Sequence, residues 1–131
     1  MKKFKLYLVY DDYFADGECD SFSLVGSEFY ENTEGRISDE STLYSVFNPL
    51  AKWSDELSED ENKSIEENIS LYEPDLSLSG VQDEHFMFSY EDWESGHSLY
   101  YDGELVRDLE LIKDYLNSNW KYFEIVDIIH G

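Results

Sequence analysis

Residues 58–74 read SEDENKSIEENISLYEP, and this stretch combines a clear helix signal with a dense run of acids. Ser58 followed by Glu61 is a capping box, in which a hydroxyl and a carboxylate satisfy free backbone amides at a helix start. Apolar residues then recur at helical spacing, at Ile65, Ile69 and Tyr72. The pattern predicts an amphipathic helix that begins after Ser58 and is ended by Pro74.

Two further helical pieces are predicted upstream, separated by Pro49. Ser38 or Asp39 can cap a helix. Its apolar residues fall at i, i+3, i+4 and i+7, namely Leu43, Val46, Phe47 and Leu50. Asn48 and Pro49 then fit the cap and first position of a short helix. That helix would carry Leu50, Trp53 and Leu57 on one side.

Alternating apolar residues predict strands on both sides of this helical region. Upstream, 4–10 and 21–30 are predicted to form a hairpin, with an acidic loop at 11–20, a bulge at Gly26 and a turn at 31–36. Downstream, the predicted elements are strands at 76–78, 86–90 and 99–101, a helix capped by Asp108, and a final strand at 122–129.

The predicted order is ββ, three helical pieces, βββ, α, β, which is an α+β fold. We expect one mainly antiparallel sheet of about five to six strands with helices packed on one face. A hydrophobic fraction of 41% and an aromatic fraction of 17% indicate a chain with a real core rather than a disordered acidic segment. Residues 1–131 are therefore predicted to form a single acidic domain.

The charge of the chain is extreme and unevenly distributed. The 31 Asp and Glu residues face 9 Lys and Arg residues, giving a formal net charge of -22. Residues 38–104 alone carry 18 of the acids and two of the bases, and no base occurs between Lys63 and Arg107. Like charges at neighbouring positions on a helix surface cost a few tenths of a kcal/mol per pair. Because the sequence tolerates this repulsion, we interpret the negative potential of the surface as useful in itself. Solubility, or an acidic proteome background, is the alternative explanation.

Composition and motifs exclude several classes of function. A net negative chain does not bind nucleic acid or an anionic membrane through a basic surface. The single cysteine, Cys19, permits no internal disulfide, and the amino terminus is too polar for a signal peptide, so a cytoplasmic protein is expected. Phosphate-binding loops and nucleophile motifs are absent from the sequence, and we expect neither an enzyme nor a cofactor. No metal site is predicted, although a divalent cation in the 11–20 loop stays an open alternative.

In size and composition the chain resembles acidic DNA-mimic proteins such as phage anti-CRISPR, anti-restriction and uracil-glycosylase inhibitors. The resemblance involves no aligned motif. It implies an inhibitor of phage or mobile-element origin that occupies the basic nucleic-acid-binding surface of a partner such as a CRISPR effector or restriction enzyme. The alternatives are an immunity protein that neutralises a cationic nuclease toxin, and a non-inhibitory acidic accessory protein.

The residues expected to contact the partner are acids and aromatic side chains from the middle of the chain, because aromatic anchors dominate interfaces while charges steer the encounter. They are Asp55, Glu56, Glu59, Asp60, Glu66, Glu67, Asp83, Glu84, Glu91, Asp92, Trp93, Glu94, Tyr100, Tyr101, Asp102 and Glu104. Tyr13, Phe14 and Tyr90 are aromatic residues near predicted turns that also fit either anchors or half-buried strand ends.

Overall fold

A computed structural model describes residues 3–35, 41–50, 56–90 and 96–131, with residues 41–43 described in the backbone only. Five helices and six strands lie in these ranges. In chain order they are β1 (Phe4–Tyr10), α1 (Asp12–Ala15), β2 (Ser23–Gly26), α2 (Ser27–Asn32), α3 (Ser41–Phe47), α4 (Glu59–Leu76), β3 (Phe86–Ser89), β4 (Ser98–Tyr101), β5 (Glu104–Leu105), α5 (Leu109–Asn119) and β6 (Phe123–His130).

The strands form two three-stranded sheets, so the predicted single sheet of five to six strands is wrong, although the α+β class holds broadly. The first sheet has the order β2-β1-β6 and the second has the order β3-β4-β5. Only the β1–β6 pair is parallel among the described strands. One isolated bridge, Phe22 to His97, connects the segments that carry the two sheets. Periodicity located β1, β2, β3, β4 and β6, but it contains no information about which strands pair.

One hydrophobic cluster joins the two sheets and the last helix. Leu6 and Leu8 of β1, Leu99 of β4 and Ile112 of α5 are all 1% exposed or less and belong to it. Alternation places Leu6 and Leu8 on the same face of β1, as the period of two requires. This core holds the second sheet against the first and thereby fixes where the acidic segments between them emerge.

Several predicted elements are confirmed. The bounds of β1 are as predicted, β6 is shifted by one residue, and α3 ends before Pro49. The Ser58 hydroxyl accepts a hydrogen bond from the Glu61 backbone amide, and the capping box is complete. Asp108 caps α5 by accepting a hydrogen bond from the Leu111 backbone N–H at 3.2 Å. The short helix expected to carry Trp53 lies mostly outside the described residues.

The predicted strand at 76–78 is wrong, and so is the end of the long helix at Pro74. Pro74 lies inside α4, which continues to Leu76. Pro74 lies two residues before the end of α4, so the backbone donor that it removes and the clash of its ring with the carbonyl four residues earlier affect only the last turn. Leu78 has a left-handed backbone with φ of 57°, which turns the chain so that both leucines are buried. The alternation of Leu76 and Leu78 therefore reflects a helix end and a turn, not a strand.

The N-terminal region differs from its prediction in two places. The acidic loop contains the short helix α1, which Asp11 caps through the Phe14 N–H at 3.0 Å. Gly26 ends β2, and α2 follows at once and occupies part of the segment predicted as strand and turn. A Cβ at Gly26 would lie 2.3 Å from the Ser45 carbonyl oxygen. Close approach to α3, rather than a bulge, is what requires glycine here.

Candidate interaction surfaces

The outer face of α4 presents a group of exposed acids. Ile65 and Ile69, 4% and 1% exposed, face inward against partly buried apolar residues. With 3.6 residues per turn, the acids at the other helix positions of 59–67 project away from this buried side. Four of these acids, which we call the α4 strip, are exposed and form no ion pair or side-chain hydrogen bond to any described residue: Glu59, Asp60, Glu66 and Glu67.

The charge density of this face is close to that of a nucleic-acid strand. Residues 59–67 contain five acids and one base, Lys63. At a rise of about 1.5 Å per residue they span about 12 Å, or about one net negative charge per 3 Å. One strand of duplex DNA carries one charge per about 3.4 Å of axis. The segment that carries the α4 strip, with Glu61 included, therefore has a negative charge per unit length similar to that of a single DNA strand.

A second acidic region lies where β3 begins and β4 ends. The register pairs Phe86 with Tyr101, and the Asp102 N–H donates to the His85 carbonyl at 2.8 Å. This pairing brings together four acids from two separate segments. We call them the hairpin edge: Asp83, Glu84, Asp102 and Glu104, all exposed.

The hairpin edge uses two of its carboxylates locally. Asp102 Oδ1 lies 2.8 Å from His85 Nδ1, and this hydrogen bond and charge raise the pKa of His85. Asp83 accepts a hydrogen bond from the His85 backbone N–H at 2.9 Å. Asp102 and Gly103 both have positive φ, 49° and 82°, as the tight turn between β4 and β5 requires. These carboxylates are held in place by their contacts with His85, and Asp102 favours the protonated form of its ring.

The aromatic residues of the site prediction separate in the structure. Tyr101 is 44% exposed at the hairpin edge, whereas Tyr100 is half-buried. Phe14 is 1% exposed and belongs to the core, so it is not an anchor, while Tyr13 is 63% exposed. Tyr90 is half-buried against the α4 isoleucines.

The two acidic regions lie on different elements. Tyr90, which packs against the inner side of α4, follows the end of β3, whereas the hairpin edge lies at the beginning of β3. The four residues of β3 place Tyr90 about 13 Å from the hairpin edge. Glu56 is exposed just before the α4 cap. The other predicted contact residues lie outside the described ranges, namely Asp55, Glu91, Asp92, Trp93 and Glu94.

Sequence reasoning missed an apolar groove at the carboxyl end of α4. Leu71, 68% exposed, and Tyr122, 38% exposed, line a groove of about 350 Å³ together with Tyr72, Pro74 and Val81. The rings of Tyr72 and Tyr122 meet edge to face at 5.2 Å. The available signal was Leu71 itself, since it falls on the polar side of the helical pattern.

Other acids serve the fold. Both carboxylate oxygens of Asp75 accept backbone N–H groups, from Lys121 at 2.9 Å and Tyr122 at 3.0 Å. These bonds fix the start of β6 to the end of α4. Asp20 forms an ion pair with Arg107 at 3.1 Å.

The 11–20 loop, left open above as a cation site, uses its first acids in other contacts. Asp11 caps α1, and Asp12 Oδ1 lies 2.6 Å from His130 Nε2. Within the described ranges, no three His, Cys, Asp or Glu side chains are grouped so as to hold a metal ion.

Comparison with protein-family models, with curated proteins and with solved structures gives no match to this chain. In the part of the chain that the structure describes, no helix has both the length and the apolar character needed to cross a membrane.

Proposed function

We propose that this chain is a protein inhibitor, rather than an enzyme, whose α4 strip imitates a nucleic-acid backbone and occupies the basic nucleic-acid-binding surface of a partner enzyme. The observation that supports this is the set of four exposed carboxylates on α4 that have no partner among the described residues. Their density, similar to that of a DNA strand, would release the same counterions from a basic groove. An anti-CRISPR or anti-restriction inhibitor of phage or mobile-element origin fits this description.

The rigid carrier supports the same conclusion. α4 has 18 residues and is fixed along its inner side by Ile65, Ile69 and Leu76, all buried. A mimic gains affinity when its charges are already in position, because little side-chain and backbone freedom is lost on binding.

The test compares two variants that each lose four negative charges. The strip variant is Glu59→Gln, Asp60→Asn, Glu66→Gln and Glu67→Gln. The matched control is Glu18→Gln, Glu28→Gln, Glu110→Gln and Asp114→Asn, at exposed acids without side-chain bonds to described residues. Proteins captured from the native host are eluted with rising salt, and the DNA binding of any enzyme recovered is then measured against added inhibitor.

We expect the wild type and the control to retain a basic nucleic-acid enzyme and to compete with its DNA. The strip variant should elute earlier, with a slope of log affinity against log salt reduced by about three, since each phosphate-like contact contributes about 0.7 to 0.9. Equal elution of both variants would reject the α4 strip as the contact. Recovery of no basic partner would favour a non-inhibitory acidic accessory protein.

An immunity protein against a cationic nuclease toxin is the second candidate, and the hairpin edge is the observation that favours it. There Tyr101, 44% exposed, lies at the same edge as four exposed carboxylates. Apolar anchors surrounded by charge are typical of tight protein interfaces. If Glu84→Gln, Tyr101→Ala and Glu104→Gln abolish binding while the strip variant binds normally, this second candidate replaces the first. A toxin gene beside this one would favour it as well.

A further inference from the structure

The apolar groove at the end of α4 continues the α4 strip. Leu71 is four residues after Glu67 and eleven after Asp60, positions that lie along one line on a helix surface. Glu67 and Leu71 are both exposed. A partner that lies along the strip therefore meets an apolar side chain, and then the groove, within about one helical turn.

The groove is shaped to receive an apolar group rather than an ion. Six of its lining residues have apolar or aromatic side chains, namely Leu71, Tyr72, Pro74, Leu78, Val81 and Tyr122. Its one carboxylate, from Asp75, already accepts two backbone N–H groups. Its volume of about 350 Å³ is at the lower end of the range for small-molecule pockets, which suits one inserted side chain.

We infer that this groove binds an apolar side chain of the same cationic partner, and that this side chain lies next to the partner's basic surface. This inference rests on the proposed function. Charge complementarity selects the occupant, because a group that reaches the groove along the strip must come from a positively charged protein. The strip alone attracts any basic surface, since Coulomb attraction to a row of carboxylates is not selective. The groove supplies specificity, because only a partner with an apolar group at the right distance fills it.

One charge opposes this arrangement. Lys121 is exposed at the groove and is the only base among its lining residues. Its repulsion would direct a cationic partner toward the Leu71 side of the groove. Lys121→Gln should therefore tighten the binding of any cationic probe, whether or not the probe carries an apolar side chain.

The test uses two synthetic peptides of equal charge, KKKKWKKKK and KKKKSKKKK, and measures their affinities by calorimetry. Wild type should bind the tryptophan peptide about tenfold more tightly, the difference expected for burial of one apolar side chain. Leu71→Ser should abolish this preference and leave affinity for the serine peptide unchanged. Leu111→Ser is the control, since Leu111 is 41% exposed on α5 and does not line the groove.

The outcomes separate the groove from the strip. Absence of a preference in wild type, or a preference that survives Leu71→Ser, would overturn the groove inference. The strip variant should bind both peptides more weakly and keep the ratio between them. If it binds both as wild type does while Leu71→Ser still removes the preference, the groove is retained and the α4 strip is rejected. Failure of wild type to bind either peptide would reject both.

Discussion

The α4 strip and the hairpin edge have the same formal charge but differ in what their carboxylates contact. Each contributes four exposed acids. On α4 these acids project from a helix whose other side is buried, and none is bound to a described residue. At the hairpin edge, Asp83 and Asp102 each hold His85, one through its backbone and one through its ring. Negative charge is available to a partner only where the local fold does not use it.

The largest expected effect is the pH dependence of stability that arises from His97, which lies at the opposite end of the second sheet from the hairpin edge. Its ring is 2% exposed and lies nearly parallel to Tyr90 and Phe88, with ring centroids 5.4 Å and 5.9 Å away. Burial lowers the pKa of His97 from 6.5 to about 4. The unfolded chain then binds a proton near pH 6.5 that the folded chain does not, so the stability associated with His97 is present above pH 6.5 and is lost toward pH 4.

Integrated over this window, the loss is about 3 kcal/mol. The measurement is the free energy of unfolding in urea at pH 7 and pH 4 for wild type and His97→Phe. Protonation of the many carboxylates also changes stability, but it does so in both proteins. The difference between them should therefore isolate His97, and a pH-independent difference would contradict its neutral burial.

His85, in the segment just before the same sheet, should give a pH dependence of stability opposite in sign to that of His97. Its pKa is raised by Asp102, so the stability from this pair is fully present below pH 6.5 and decreases as pH rises through the raised pKa. His85→Gln should remove that dependence and leave the acid sensitivity of His97 intact.

An effect of intermediate size is expected when the free energy of unfolding is compared for variants of two acids in α4. Asp75→Ala leaves the backbone N–H groups of Lys121 and Tyr122 without their carboxylate, which should lower the free energy of unfolding by about 1 to 2 kcal/mol at this exposed position. Glu67→Ala removes an acid that contacts no described residue and should change it by less than about 0.5 kcal/mol. Urea unfolding of the two variants measures the difference. Equal losses would show that the strip acids are structural too.

Local rules predicted the parts of the fold that depend on neighbouring residues. The capping box at Ser58, the Asp108 cap and the alternation in β1 need only a few residues of sequence, and all three are confirmed. The pairing of β1 with β6 joins residues more than 100 positions apart, and no local pattern specifies it. The fate of Pro74 was also set by tertiary context, because the buried Leu76 holds the last turn of α4.

The candidate site, like the fold, was predictable where it depends on local sequence and not where it depends on tertiary contacts. Counting charges found both acidic regions, but it could not show that Asp83 and Asp102 are engaged while Glu66 and Glu67 are not. That distinction depends on where His85 lies, which the β3–β4 register determines. The groove at Leu71 required the positions of the end of α4 and of the segment between α5 and β6 together, and neither segment reveals it alone.

The smallest effect tests whether the α4 strip costs stability. Glu66 and Glu67 are the eighth and ninth of the 18 residues of α4, and Lys63 is the only charged residue three or four positions from either of them. Attraction to Lys63 is worth about 0.2 to 0.5 kcal/mol per pair, whereas the acids on the same line of the helix surface lie seven residues away, so their repulsion is weaker and is screened by salt. The loss of this attraction and the relief of the weaker repulsion oppose each other, so Glu66→Gln with Glu67→Gln should change the free energy of unfolding by no more than about 0.5 kcal/mol.

The same double variant should also gain less stability than wild type when sodium chloride is raised, because fewer like charges remain to be screened. Urea unfolding at low and high salt measures both quantities. Glu28→Gln with Glu110→Gln provides the control, since each lies in the first turn of its helix, where the dipole favours an acid. A loss of stability in the Glu66→Gln, Glu67→Gln double variant larger than in this control would mean that these acids are retained for folding and not for a partner.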